Sequence, residues 1–139
     1  MSERQDLRDR TKAYAPCIIR LYRALPVKRD GVAQVLGKQL LRSGTSVAAQ
    51  YREACRAKSD ADFISKIEGA QHELEESDLW LELMGDSETV KVPLLAPLRA
   101  ETHELMSMFV TMTKNVKKRS RKTPLSALRP HPSALPPAS

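Results

Sequence analysis

Residues 59–84 read SDADFISKIEGAQHELEESDLWLELM, and this stretch decides the fold. Phe63, Ile67, Ala70, Leu74, Ser77, Leu81 and Met84 recur at alternating spacings of four and three, the period of a single helix face. Ser59 stands where an N-cap oxygen is needed, with Asp62 three residues on. A helix with so long an apolar stripe is stabilised chiefly by packing, so the rest of the chain must supply partners of the same kind.

It supplies three. On the N-terminal side a second helix is predicted from about Asp30 to Ala57, with Leu36, Leu40, Ser43, Val47, Tyr51 and Ala54 on one face. Before it, a helix from about Asp6 to Leu25 carries Ala13, Cys17, Leu21 and Ala24 or Leu25, and the pair Leu25-Pro26 ends it. Pro16 lies inside this helix, which therefore either kinks near Lys12 or begins its regular part at Pro16. On the C-terminal side Gly85-Asp86-Ser87 breaks the pattern. Pro93 or Pro97 opens a fourth helix with the face Leu94, Leu98, Thr102, Leu105, Phe109, Met112 and Val116. Five of the nine prolines follow Lys122, so a disordered, basic, Pro-rich C-terminal tail is expected. The expectation is an all-α, antiparallel up-down four-helix bundle over residues 1–119 with a tail over 120–139.

Composition agrees. A chain of 139 residues with 41% apolar residues has material for one core, and six aromatics with no alternating β-branched run disfavour a sheet. The charged N-terminus has no apolar segment of signal type and no run of about 18 apolar residues occurs, which predicts a cytoplasmic protein without a membrane span. Cys17 and Cys55 fall about 17 residues apart along the hairpin, roughly 25 Å, too far for a disulfide. The net charge of +6 is uneven: residues 1–113 hold 16 Lys and Arg against 17 Asp and Glu, residues 114–139 hold seven against none.

The second helix also carries a polar stripe, Gln39, Arg42, Ser46, Gln50 and Glu53, beside its apolar one. Gly37, Ser43, Gly44, Ala48 and Ala49 are small neighbours, and glycine in a helix costs about 1 kcal/mol relative to alanine. Close packing against another helix, with Arg42, Gln50 and Glu53 bonded across the contact, offsets that cost. A functional pocket along the stripe is the alternative. On the close-contact reading, leucine at either Gly44 or Ser46 overpacks the bundle.

The run from Gln39 to Glu53 resembles the signature Gln-Leu-x-Arg-Ser/Ala-x-x-Ser-Val-x-x-Asn-x-x-Glu of the four helix bundle, or 23S rRNA intervening-sequence, protein family. The matching positions are Gln39, Leu40, Arg42, Ser43, Ser46, Val47 and Glu53, followed by Ser59, Phe63, Glu73 and Leu74. The chain departs from the signature at Gln50, where the family has Asn, and a longer amide keeps the same bonds only if its neighbours shift. The resemblance covers roughly residues 6–118. It implies a bundle assembled into a homopentameric ring without known enzymatic activity. It also implies a fold similar to that of the accessory proteins of diversity-generating retroelements, basic pentameric barrels that bind nucleic acid and a reverse transcriptase.

The residues name no catalytic, cofactor or metal site. A di-iron bundle needs Glu-x-x-His on two helices; here Glu68 and His72 are four apart and Ala100 precedes His103 by three. Gly31 to Gln39 has neither the spacing nor the hydroxyl of a phosphate loop. Two features point to partners. Leu79, Trp80 and Leu83, with Met106 and Met108, carry apolar character further round the helices than one seam buries, which suits either an oligomer interface or a wide core. Lys114, Lys117, Lys118, Arg119, Arg121 and Lys122 could neutralise RNA or DNA phosphates without reading sequence, or could merely solubilise the chain. The expected protein is a non-enzymatic homo-oligomeric scaffold that binds nucleic acid, as accessory to a reverse transcriptase or other nucleic-acid enzyme; a protein-protein adaptor is the alternative.

Overall fold

The computed structural model describes residues 2–122. Four helices follow one another, α1 (Glu3–Ala24), α2 (Gly31–Cys55), α3 (Asp60–Asp86) and α4 (Val92–Lys122), packed as an up-down antiparallel bundle in which α1 and α4 touch least. No strand occurs among the described residues. The Pro-rich segment after residue 122 lies outside them.

Local chemistry sets the helix starts. Ser2 accepts from the amide of Gln5, Asp30 from those of Val32 and Ala33, and Ser59 from that of Asp62, each satisfying a donor that the first turn leaves open. Between α3 and α4 the chain turns through Glu88, whose φ of 59° is left-handed, while the Thr89 and Val90 amides close on the Met84 carbonyl. Helix α1 runs through Pro16 without interruption, so its regular part does not begin there. Pro16 faces solvent, where water can satisfy the carbonyl that it leaves unbonded.

The seven positions read as the α3 face are all buried. Those of α2 are buried too, except Leu36, which is half-buried; Gly37 and Gly44 join them. Helix α1 corrects the sequence reading. Its core face is Leu7, Thr11, Tyr14 and Ile18, while Ala13, Cys17 and Ala24 are exposed. The reading favoured small apolar residues over two polar ones that the fold buries with partners: Thr11 Oγ1 donates to the Leu7 carbonyl at 2.7 Å, and the Tyr14 and Thr102 hydroxyls lie 2.6 Å apart. The start of α4 is corrected by one residue, since Leu95 is buried and Leu94 is 72% exposed.

Tyr14, Ser43, Ser77 and Thr102, one from each helix, form buried hydroxyl contacts at mid-bundle. Ser43 and Ser77 hydroxyls are 2.8 Å apart, and Ser77 and Thr102 each bond a carbonyl of their own helix at 2.8 Å. Burial raises the Tyr14 phenol to about 12, against the hydrogen bonds that it shares with Thr102 and Ser77. Ser43, Ser77 and Thr102 keep a carbonyl of their own helix whatever their neighbours do, but a shift of α1 against α4 would part the buried Tyr14 hydroxyl from Thr102, so that contact favours one register.

Candidate nucleic-acid interface

Helix α4 continues to Lys122, so the basic run belongs to its last turns, where cations also favour the helix dipole. Lys114, Lys117, Lys118, Arg119 and Arg121 are exposed there. Two of them meet acids of α3: Lys117 Nζ lies 3.7 Å from Glu68, and Arg119 Nη2 lies 3.2 Å from Asp60. The Ser120 hydroxyl donates to Asp60 at 2.7 Å. That bond, ahead of the nearby Arg119, holds the Asp60 carboxyl below its usual range despite some loss of hydration.

The antiparallel topology brings other cations to this end. Arg4, at the start of α1, stacks its guanidinium 4.5 Å above the Phe63 ring, and its carbonyl accepts from the Tyr51 hydroxyl at 2.9 Å. Arg56 and Lys58, exposed, end α2 and lead into α3. Three elements far apart in sequence thus present cations at one end of the bundle, a pattern that reading the run from Lys114 to Lys122 alone does not reveal.

The polar stripe of α2 lies along α3. Arg42 pairs with Glu76 and, at 3.3 Å, with Glu73; Gln50 Nε2 donates to Glu73 at 3.4 Å; and Glu53 is 3.9 Å from Lys66. Hydrogen bonding to Glu76 raises the Arg42 pKa further. Gln50 fits because Gly69 lies under its amide, where a Cβ would come within 2.3 Å of Oε1. Ser46 departs from the expectation: half-exposed, it donates to the Arg42 carbonyl of its own helix at 2.7 Å. Gln39 is exposed and takes no part.

Of the apolar positions read as an interface, Leu79 is 45% exposed, whereas Trp80, Leu83, Met106 and Met108 are half-buried. Met108 Sδ accepts from Arg10 at 3.1 Å, inside the chain. Val32, Val35, Val92 and Leu94 are more exposed than Leu79 and were missed. They lie near helix starts, where periodicity is a weak guide to burial. Both thiols are unpaired, Cys17 exposed and Cys55 half-buried. Gly44 packs on Ile18, which places Cys17 level with about residue 45 and nearer Cys55 than the sequence suggested, about 15 Å along the axis.

Asp78 ties α3 to α4, accepting from Arg99 Nε and His103 Nε2, each at 3.0 Å. Burial opposes its ionisation, but the hydrogen bonds from Arg99 and His103 outweigh it and hold the carboxyl below its usual range. Ionised Asp78 therefore contributes stability above its unfolded pKa of about 3.9, and the contribution is lost as pH falls through the lower folded value. Asp78→Asn should lose about 1 kcal/mol at pH 7. In urea unfolding at a series of pH values its deficit should shrink below about pH 4, and a constant deficit would contradict the assignment.

Among the described residues no group of His, Cys, Asp and Glu is arranged to hold a metal ion, and no helix is long and apolar enough to cross a membrane. No curated protein matches the chain. Among solved structures, it is similar to a protein of unknown function from the S23 ribosomal protein family of Bacteroides thetaiotaomicron. The two are 31% identical with a TM-score of 0.75, over 81% of this chain and 99% of that one. The 23S rRNA-intervening sequence protein family matches residues 3–111, and the chain belongs to that family.

Proposed function

We propose that the protein is a non-enzymatic homo-oligomeric scaffold, most simply a pentamer, that binds RNA or DNA through backbone phosphates and serves a reverse transcriptase or another nucleic-acid enzyme as an accessory. The observation that carries this reading is the cationic end of the bundle, where the last turns of α4 join Arg4, Arg56 and Lys58. No aromatic residue lies between Lys114 and Lys122 to stack on bases, so the chemistry suits phosphates rather than sequence. Repeating the cationic end around an oligomer would multiply its field.

The test replaces Lys117, Lys118, Arg119, Arg121 and Lys122 with Gln, which retains length and helix propensity while removing charge. The slope of log K against log salt for a random duplex, about −0.9 per phosphate neutralised, should flatten by about two to four units. Equal slopes would remove the site from α4. The second reading, a protein-protein adaptor, is supported by exposed Leu94 beside a groove of about 350 Å³ between α1 and α4, lined also by Leu21, Pro97 and Leu98. It predicts no salt-dependent binding of nucleic acid.

A further inference from the structure

The near-neutral body conceals a charge division that follows the fold. Residues 2–58, which form α1 and α2, hold 13 Lys and Arg against five Asp and Glu, whereas residues 59–113 hold three against 12. Because the bundle is up-down, with α1 packed on α2 and α3 on α4, the two halves become opposite faces.

On the α1/α2 side Arg8, Lys12, Arg23, Lys38, Arg52 and Arg56 have no carboxylate partner among the described residues, and Arg52 Nε is buried without an acceptor. The acids of that half are few. Asp9 is hydrogen-bonded by Gln5, and Asp30 caps α2. On the α3/α4 side Glu68, Gln71, His72 and Glu75 of α3 face Val110, Thr113, Lys114 and Lys117 of α4 across a groove of about 410 Å³, in which Lys117 pairs with Glu68 and leaves Glu75 as its uncompensated acid. Glu75 and Glu82 are exposed and make no ion pair among the described residues, though Glu82 lies in the field of Arg99, with Leu79 between them on the same outward stripe of α3.

We propose that these faces are the two halves of one contact between copies of this chain, the basic α1/α2 face of one protomer seating on the acidic α3/α4 face of the next. This rests on the homo-oligomeric reading and specifies its geometry. Charge complementarity chooses the occupant: the α1/α2 face carries an excess of cations and the α3/α4 face an excess of acids, and exposed Leu79 gives the contact an apolar side chain to dehydrate. Such a contact is heterologous, because the two surfaces differ, so it builds a ring when the rotation closes rather than a two-fold dimer. It leaves Lys118, Arg119 and Arg121, in the last turns of α4, outside the residues named for either face.

The experiment measures mass by sedimentation at low and high salt for the full chain and three variants, with circular dichroism to confirm that each is folded. Lys12→Glu with Lys38→Glu reverses one face, and Glu75→Lys with Glu82→Lys the other. Each pair alone should weaken association at least tenfold, and all four together should restore it, because the complementarity is then rebuilt with opposite sign. In the wild type, raising salt from about 0.05 M to 0.5 M should also weaken association. An oligomer indifferent to both reversals would overturn the proposal and leave the homo-oligomeric reading intact. A wild-type monomer at every salt concentration would overturn both. Undiminished mass together with lost duplex binding in Lys12→Glu, Lys38→Glu would assign the basic face to nucleic acid instead, which also overturns it.

Discussion

Gly44→Leu lowers the stability of the bundle by about 3 kcal/mol, while Ser46→Leu, two positions away, changes it by about 0.5 kcal/mol or less. A Cβ on Gly44 would already lie 2.7 Å from Ile18 Cγ1 and 3.0 Å from both Cδ1 and Cγ2. Ile18 is fully buried and β-branched, so its side chain, stiff at χ1, has little freedom to retreat. A leucine forces α1 and α2 apart. Ser46 meets no such wall: it is half-exposed, and its hydroxyl bonds within its own helix. Urea unfolding of the two variants checks the contrast, and a Gly44→Leu protein as stable as the wild type would refute the close contact. The sequence treated the two positions alike, because both are small and both lie near the polar stripe. What separates them is the neighbour that each one faces.

Phe109→Ala has a larger effect, a loss of about 3–5 kcal/mol. Phe109 is fully buried on α4 and stacks on Tyr51 of α2, with ring centroids 5.7 Å apart and planes inclined by 22°. Truncation removes the transfer free energy of the ring, opens a cavity and strips Tyr51 of its stacking partner. Tyr51 cannot readily follow into the space, since its hydroxyl is held at 2.9 Å by the Arg4 carbonyl of α1. Burial, followed by the neighbouring Cys55, raises the Tyr51 phenol above its ordinary pKa, so the ring is neutral throughout the physiological range. For a domain of this size the melting temperature should fall by roughly 12–25 °C. A drop of under about 3 °C would mean that the bundle collapses around the gap and that this layer carries little of the packing.

The two substitutions probe different contacts that meet at the same scaffold. Gly44 governs how closely α1 approaches α2, and Phe109 fills the space between α2 and α4. The cationic end depends on both, because Arg4 reaches Tyr51 and Phe63 only when α1 is seated. Loss of either contact should therefore loosen the arrangement of Arg4, Arg56 and the last turns of α4.

Local pattern alone determined four helices, their order, the N-cap at Ser59 and the complete buried face of α3. These depend on the spacing of apolar residues along a helix and on hydroxyl or carboxylate oxygens that satisfy first-turn amides, both of which act within a few residues. The family signature was legible for the same reason, being confined to one helix and the start of the next. Tertiary structure decided the face of α1, because Thr11 and Tyr14 are fit for burial only once their hydroxyls are bonded, and the partner of Tyr14 lies on α4, 88 residues away. It placed Leu95 rather than Leu94 in the core, since Leu95 lies on the side of α4 that meets Gly85 of α3, whereas Leu94 faces the open groove beside α1. It also turned a run of six cations into one part of a cationic end, and a neutral body into a basic face and an acidic one. Charge acts through space, and a linear count cannot tell which residues far apart in the chain will share a surface.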